Sequence, residues 1–426
     1  MARIAFIMPG VLPGVSSAVT ARPGPPPLIM RTGLYLALVQ LLFTATWTIY
    51  VAFLPQLAAA AGIPKERVVW ILMLDQVIFI AMDFALGVAA DRVAAAMRRL
   101  SGPMVAVTAL SCAAFLLLPH AGASPALLLA LTAIWAITSS ALRAPPMAMF
   151  ARHVSAAATP RFVFLSLLGI GLASAIAPWL TARLRGVSPE LPFALAAVGL
   201  LAAVAAMGWC ERRLASGADD GSAKDAAAAA GARSATPAAP RHVLAFFVCV
   251  VLLGLGFQIH TALNSAPAYL RFAKAPDLEW MMGLFWIGFS ICIMLRGIGS
   301  LKTASPARML MAGTAAGALA LAVVASATSL ALVICAQLVA GGAWGLIIGY
   351  ALSAAIDAGR TGREGRFTGL IFALLAAAAL TRFAIVVSGV NKAPEWSVWF
   401  TWLPALAWSA ALVLLALAVL RGTFSR

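Results

Sequence analysis

The stretch GVAADRVAAAMRR, residues 87–99, gathers Asp91, Arg92, Arg98 and Arg99 directly behind a run of apolar residues. That run, VVWILMLDQVIFIAMDFAL at 68–86, is interrupted only by Asp75, Gln76 and Asp83. About 20 mainly apolar residues are what a helix needs to cross the hydrocarbon core of a bilayer. The charges at 91–99 therefore read as the point where a membrane helix returns to water, provided that the pattern recurs along the chain.

It recurs along nearly the whole chain. Of the 426 residues, 63% are hydrophobic and 10% charged, whereas a soluble domain is about half apolar and a quarter charged. Apolar runs fall at 34–54, 68–90, 104–120, 126–148, 162–182, 191–210, 243–265, 280–295, 309–325, 330–355, 367–388 and 397–420. The short alternating segments of a membrane β-barrel do not occur. The reading predicts an all-α membrane protein with twelve transmembrane helices.

Charge sets the expected orientation. With the N-terminus inside, 21 Lys and Arg fall in cytoplasmic segments and 7, such as Lys65 and Lys392, in outer ones, which is the sign that the positive-inside rule requires. Both termini are then cytoplasmic and the membrane is the bacterial inner membrane. The formal net charge of +16 sits in short loops and not on one soluble face, so it is a topology signal and excludes nucleic acid as the partner. Cys112, Cys210, Cys249, Cys292 and Cys335 each lie in a different apolar run with no paired histidines, and they read as packing residues with no metal site.

The longest break, ERRLASGADDGSAKDAAAAAGARSATPAAPRH at 211–242, is too rich in small and polar residues to bury a core. It reads as a cytoplasmic linker between a six-helix bundle at 30–210 and a second at 243–426. Residues 1–29 read as a disordered extension or as the product of a start set upstream of Met30. A cleaved signal peptide, suggested by VTA at 19–21, would invert the charge bias. The two bundles look related. Trp70 and Gly87 have the same spacing as Trp280 and Gly297, Arg161-Phe162 matches Arg366-Phe367, and Pro55 matches Pro267. Such pseudo-symmetry is common among secondary transporters.

GVAADR between helices 2 and 3 resembles the signature of the major facilitator superfamily, in which the pattern continues with a glycine and two basic residues. Here Ala94 stands at the glycine and the basic pair is displaced to Arg98 and Arg99. Arg143 resembles that family's helix 4 arginine. ASAIAPWLTA at 173–182 resembles a degenerate antiporter motif, and is equally a small-residue packing stretch with a proline kink. The resemblance implies that helices 2 and 11 face each other across the interface between halves, and that helices 1 and 7 line a central cavity. It also implies that Asp91 meets the start of helix 11 after Arg363, Glu364 and Arg366.

Four formal charges lie well inside the expected spans: Asp75, Asp83, Arg143 and Arg382. Each costs about 2.5–3.5 kcal/mol on insertion scales and is expected to be paired, protonated or turned to a water-filled cavity. Depth matches Asp83 with Arg143 inside the first half, and Asp75 with Arg382 near the outer end, where they would form a gate between halves. Burial favours a protonated carboxylate and a neighbouring arginine an ionised one. An aspartate that alternates between the two can carry a proton, so Asp75 and Asp83 are the proton-coupling candidates. Asp91, Arg92 and Arg382 are the gating candidates. Cavity candidates are Gln40, Thr44 and Trp47 of helix 1, Arg143, Gln258, His260 and Asn264 of helix 7, and Gln337 and Trp344 of helix 10. Gln258 and His260 point about 160° apart on a helix, so both are not expected to face the cavity.

The function these features indicate is secondary active transport of a small organic solute by alternating access, proton-coupled, with export favoured. Proton-coupled uptake of an anionic metabolite through Arg143 and Arg382, and a non-transporting scaffold, stay open as alternatives. No HExxH, GxSxG or Walker motif is present, so neither an enzyme nor a cofactor is expected. The expected partners are substrate, protons and lipid, and the expected state is a monomer.

Overall fold

The computed structural model describes residues 26–97, 100–218, 240–298, 305–360 and 362–420. Among these residues there is no strand, and twelve helical segments are long and apolar enough to cross a membrane. They are α1 (Ile29–Ala60), α2 (Lys65–Val93), α3 (Ser101–Gly122), α4 (Pro125–Ala151), α5 (Thr159–Arg183) and α6 (Glu190–Arg213), then α7 (Leu244–Leu270), α8 (Ala275–Ile298), α9 (Pro306–Ser326), α10 (Leu330–Gly359), α11 (Glu364–Ser388) and α12 (Pro394–Leu420). Each expected span overlaps one of them, and the helices overrun the apolar runs, because backbone hydrogen bonding continues through polar ends until a cap stops it. Ser124, Ser305 and Ser329 accept from the amides of Leu127, Arg308 and Leu332 at the starts of α4, α9 and α10. Gly389, at φ 71°, ends α11 in the left-handed conformation that glycine adopts without strain.

The helix contacts repeat between halves. In the first half α1 packs on α5 and α6, α3 on α4 and α6, and α2 on α4; in the second α7 packs on α11 and α12, α9 on α10 and α12, and α8 on α10. Across the halves α2 lies along α11 and α5 along α8, which are themselves equivalent pairs under a shift of six helices. At the crossing of α2 and α11 the backbones touch: a Cβ on Gly87 would meet the carbonyl of Gly365, and one on Gly369 the carbonyl of Asp83. Only glycine permits that approach.

Among the described residues, two of the helix interruptions fall near a proline. In α4 a 3₁₀ turn, Ser140–Leu142, precedes Arg143 and the Pro145-Pro146 pair. In α7 a π-helical turn, His260–Asn264, precedes Pro267. The apolar runs at 126–148 and 243–265 marked neither break, although a proline in or beside such a run is a legible signal.

The helix at the end of the first half continues through 211–213 to Ala218, where the linker was expected to have begun. Glu211 explains the difference. Its Oε1 accepts from the amide of Leu100 (3.1 Å) and its Oε2 from that of Ser101 (3.3 Å), so this buried carboxylate caps the start of α3. The rest of the expected linker to 239, residues 1–25, and Arg98 and Arg99 lie outside the described residues. Residues 26–28, expected to belong to an extension, begin the first helix.

Candidate functional site: a cavity between the halves

One end of the molecule carries Asp91, Arg152, Arg161, Arg296, Arg360 and Arg366, and is called here the basic end. It is closed by bonds that cross the halves. The carboxylate of Asp91, at the end of α2, accepts from the amides of Gly365 (2.9 Å) and Arg366 (2.8 Å) and from Arg152 Nη2 (2.8 Å). An anion at a helix N-terminus takes up amides that have no partner within the helix and meets the positive end of its dipole. Arg152 also lies 3.6 Å from Glu364. Arg161 donates to the carbonyl of Gly297 (2.9 Å), and Arg360 donates to the carbonyl of Val154 (3.1 Å) and to Thr159 Oγ1. Arg92 is exposed and takes no part in these bonds. Arg152 and Arg360 were not singled out in the sequence, and Arg161 and Glu364 served there only as landmarks, since each looks like an ordinary loop charge until the fold brings the halves together.

Beyond this seal, between the middle of the bundle and the opposite end, lies a cavity of about 260 Å³. Its lining comes from four helices: Thr44, Trp47 and Thr48 of α1, Ser174, Ala177 and Pro178 of α5, Thr261 and Ser265 of α7, and Met282, Phe285 and Trp286 of α8. No charged side chain lines it. Of the residues proposed for a cavity, Thr44 and Trp47 line this one.

The other expected cavity residues do not line it, and the reasons are physical. Pro146 has no amide hydrogen for the carbonyl of Leu142, one turn back, and Gln40 Nε2 supplies it at 2.8 Å. Pro404 likewise leaves the carbonyl of Phe400 without its helical donor, and Asn264 Nδ2 supplies that one, also at 2.8 Å. His260 and Gln337 are buried inside the second half, with His260 Nε2 donating to Gln337 Oε1 (2.9 Å) and Gln337 Nε2 donating to Ser265 Oγ (3.2 Å). Trp344 is buried in a stack between Phe257 and Trp408. Gln258 is half-buried and lies outside the lining.

Of the two intramembrane ion pairs expected from depth, Asp83 with Arg143 forms and Asp75 with Arg382 does not. Arg143 Nη1 lies 2.9 Å from Asp83 Oδ2, and its guanidinium sits over the rings of Phe79 and Phe372. Asp83 is 0% exposed and Arg143 18%, so this is a buried ion pair. Asp75 is also 0% exposed but is not paired with Arg382. Its Oδ2 accepts from the hydroxyl of Tyr50 (3.0 Å), and its Oδ1 has no partner among the described residues. Arg382 instead lies over the ring of Phe383, 3.9 Å from its centroid. Tyr50 belongs to an aromatic cluster with Trp47, Phe79 and Trp135, the ring of Trp47 lying 5.5 Å from that of Tyr50. Asp75 thus stands one aromatic layer behind the cavity wall. Among the described residues no group of three metal-ligating side chains forms.

Twelve membrane-length helices in two equivalent halves, closed at one end around a cavity, define a multi-pass membrane protein with a transporter fold. The family model for the major facilitator superfamily matches residues 36–381, and the chain belongs to that superfamily. No curated protein matches it in sequence. Its fold is similar to that of the human organic anion transporter MFSD10 (TM-score 0.65, 16% identity, covering 92% of this chain and 99% of that one). It is also similar to the proton:xylose symporter XylE bound to 6-bromo-6-deoxy-D-glucose (0.65, 12%, 91% and 95%). A third is a bacterial homologue of the iron transporter ferroportin in an outward-facing state with soaked iron (0.66, 13%, 90% and 98%). At these identities the likeness is one of fold. Members of the superfamily are transporters, in keeping with the absence of enzyme motifs in the sequence.

Proposed function

We propose that the protein is a secondary active transporter of a small organic solute in the bacterial inner membrane, working by alternating access, coupled to protons and running as an exporter. The observation that carries this reading is the placement of Asp75. A fully buried carboxylate with one oxygen on Tyr50 and the other free stands behind Trp47, a wall residue of the cavity. An ionisable group at membrane depth is costly and is retained where it binds or relays charge. A solute that moves Trp47 moves Tyr50 with it and alters the only hydrogen bond Asp75 makes among the described residues.

The charge bias places the basic end in the cytoplasm, so the seal around Asp91 closes the cytoplasmic side and the cavity lies toward the outside. Release of that seal and closure of the other end complete the cycle. The Asp83–Arg143 pair leaves Asp83 already compensated, which makes Asp75 the preferred proton carrier. Export is supported by the placement of Ser174, Ala177 and Pro178 of the antiporter-like stretch in the cavity wall. Uptake of an anion is disfavoured, because Arg143 is engaged and neither it nor Arg382 reaches the lining. The cargoes in the neighbours' names, an organic anion, a sugar and iron, differ among themselves and do not select one for this chain.

Proteoliposomes loaded with a pH-sensitive dye test the reading with a panel of small organic cations, neutral compounds and anions. Addition of a transported compound is expected to move protons in the wild type, and Asp75→Asn to abolish proton movement while retaining exchange of labelled for unlabelled compound. Proton movement undiminished in Asp75→Asn overturns the coupling role.

A further inference from the structure

The chemistry of the cavity wall narrows the solute. Of its hydroxyl groups, three have already spent their hydrogens: Thr48 donates to the carbonyl of Thr44 (3.0 Å), Thr261 to that of Phe257 (2.8 Å) and Ser265 to that of His260 (3.0 Å). A hydroxyl has one hydrogen and two acceptor sites, so these three can offer a solute only lone pairs. Ser265 Oγ uses one of its own to accept from Gln337 (3.2 Å).

A fourth acceptor comes from the backbone. Pro178 has no amide hydrogen to give the carbonyl of Ser174, four residues earlier in α5, and both residues line the cavity. At two other prolines, Pro146 of α4 and Pro404 of α12, a side-chain amide from another helix fills the vacancy. Here no side chain among the described residues does so, which leaves the Ser174 carbonyl as an acceptor beside the cavity. The remaining wall is aromatic, from Trp47, Phe285 and Trp286, and electron-rich ring faces attract cations.

The surrounding charges point the same way. No cation lines the cavity, so a carboxylate entering it would exchange its water for neutral donors alone, the hydroxyls of Thr44 and Ser174 and the indole N–H groups, with no counter-charge. Arg143, one ring behind the wall over Phe79, is offset by Asp83. A carboxyl without a cationic partner, Asp75, stands behind Tyr50, whose ring meets that of Trp47 in the wall. We propose that the cavity binds a compact organic cation, an ammonium or guanidinium on a flat apolar body, whose N–H groups go to the Ser174 carbonyl and the Thr48, Thr261 and Ser265 oxygens while its body lies against Trp47, Phe285 and Trp286.

The volume sets the size. At about 260 Å³ the cavity is below the range of about 300–1,000 Å³ of drug-sized sites, which suits a single ring with a short amine arm. The assignment rests on the transport reading for its purpose, but not for its test, since binding needs no gradient.

Binding to the full-length protein in detergent is measured for three probes of similar shape: phenethylammonium, phenethyl alcohol and 3-phenylpropanoate. Affinity is expected to fall in that order, with the ammonium at least about tenfold tighter than the carboxylate. Thr261→Val, which keeps shape and removes one acceptor, and Trp286→Leu, which removes one ring, are each expected to weaken the ammonium about tenfold and leave the melting temperature of the empty protein within about two degrees. Equal or tighter binding of the carboxylate overturns the assignment. So does no binding of any probe, or ammonium binding unchanged in both variants. Proton movement driven by an anion with the ammonium unbound would retain the transport reading and reject the cation; a bound ammonium that never crosses the bilayer would do the reverse.

Discussion

Replacing Asp91 by Asn tests how the basic end is held closed. In the sealed arrangement the Asp91 carboxylate takes two backbone amides, from Gly365 and Arg366, and one guanidinium nitrogen, from Arg152, all at 2.8–2.9 Å. Hydrogen bonds to a charged group contribute about 1.5–3 kcal/mol each. An asparagine keeps one acceptor oxygen, so one amide stays bonded, while the other faces the NH₂ group and the guanidinium loses its counter-charge. Arg152 retains Glu364 at 3.6 Å and is 22% exposed, so its share of the loss is at the low end. The sum is about 3 kcal/mol. The two α11 amides are met only when α11 lies against α2, whereas Arg152 belongs to the same half as Asp91, so about 2 kcal/mol of the loss falls on the sealed state alone. At about 1.4 kcal/mol per factor of ten, the ratio of sealed to open molecules is expected to drop about 30-fold. Spin labels at Ser155→Cys and Arg363→Cys, exposed sites on opposite halves at this end, report the separation by pulsed dipolar spectroscopy. A long-distance population should appear in the variant, and transport should fall. A population ratio changed by less than about threefold would refute the reasoning.

Gly369→Val places a side chain against the carbonyl of Asp83 and is expected to cost about 1–3 kcal/mol by overpacking, seen as a lower melting temperature or as the same long-distance population; wild-type behaviour in both refutes the glycine contact. Asp83→Asn leaves the Arg143 guanidinium buried without its counter-charge, at a cost of about 3–5 kcal/mol. The double variant Asp83→Asn/Arg143→Gln should recover more than half of that in thermal melts, whereas simple addition of the two single losses would show that the pair does not interact. Glu211→Ala removes the cap of α3 and about 1 kcal/mol, so amide exchange at Leu100 and Ser101 should accelerate about fivefold while exchange in α9 stays unchanged.

How much of the site was legible depends on what each residue type can signal alone. The four cavity walls each follow the spacing of one helical face: Thr44, Trp47 and Thr48; Ser174, Ala177 and Pro178; Thr261 and Ser265; Met282, Phe285 and Trp286. That spacing puts residues on one side of a helix but does not say which side turns inward, because in lipid both sides are apolar. Gln40 and Asn264 were read as cavity residues for being polar at membrane depth, yet each serves a carbonyl freed by a proline on another helix. The prolines were visible; the partners three helices or more away were not. Asp83 and Arg143 were matched by depth, and the same argument paired Asp75 with Arg382, which the structure keeps apart. Depth places two residues at one level of the membrane without saying whether their helices turn them toward each other.

The sequence by itself determined a helical membrane protein with twelve spans, because hydrocarbon leaves a backbone only the helix or the closed barrel to satisfy its amides, and the alternation of a barrel is missing. It determined the kinship of the halves through repeated landmarks, and the bias of positive charge toward one set of loops. The tertiary structure alone decided which polar groups face the cavity and which repair other helices, since both depend on helix rotation. It also decided that Asp91 seals one end, that Asp75 rests on Tyr50, and that the cavity wall offers acceptors and rings but no cation. Those choices are made by contacts between residues far apart in the chain, where periodicity carries no information.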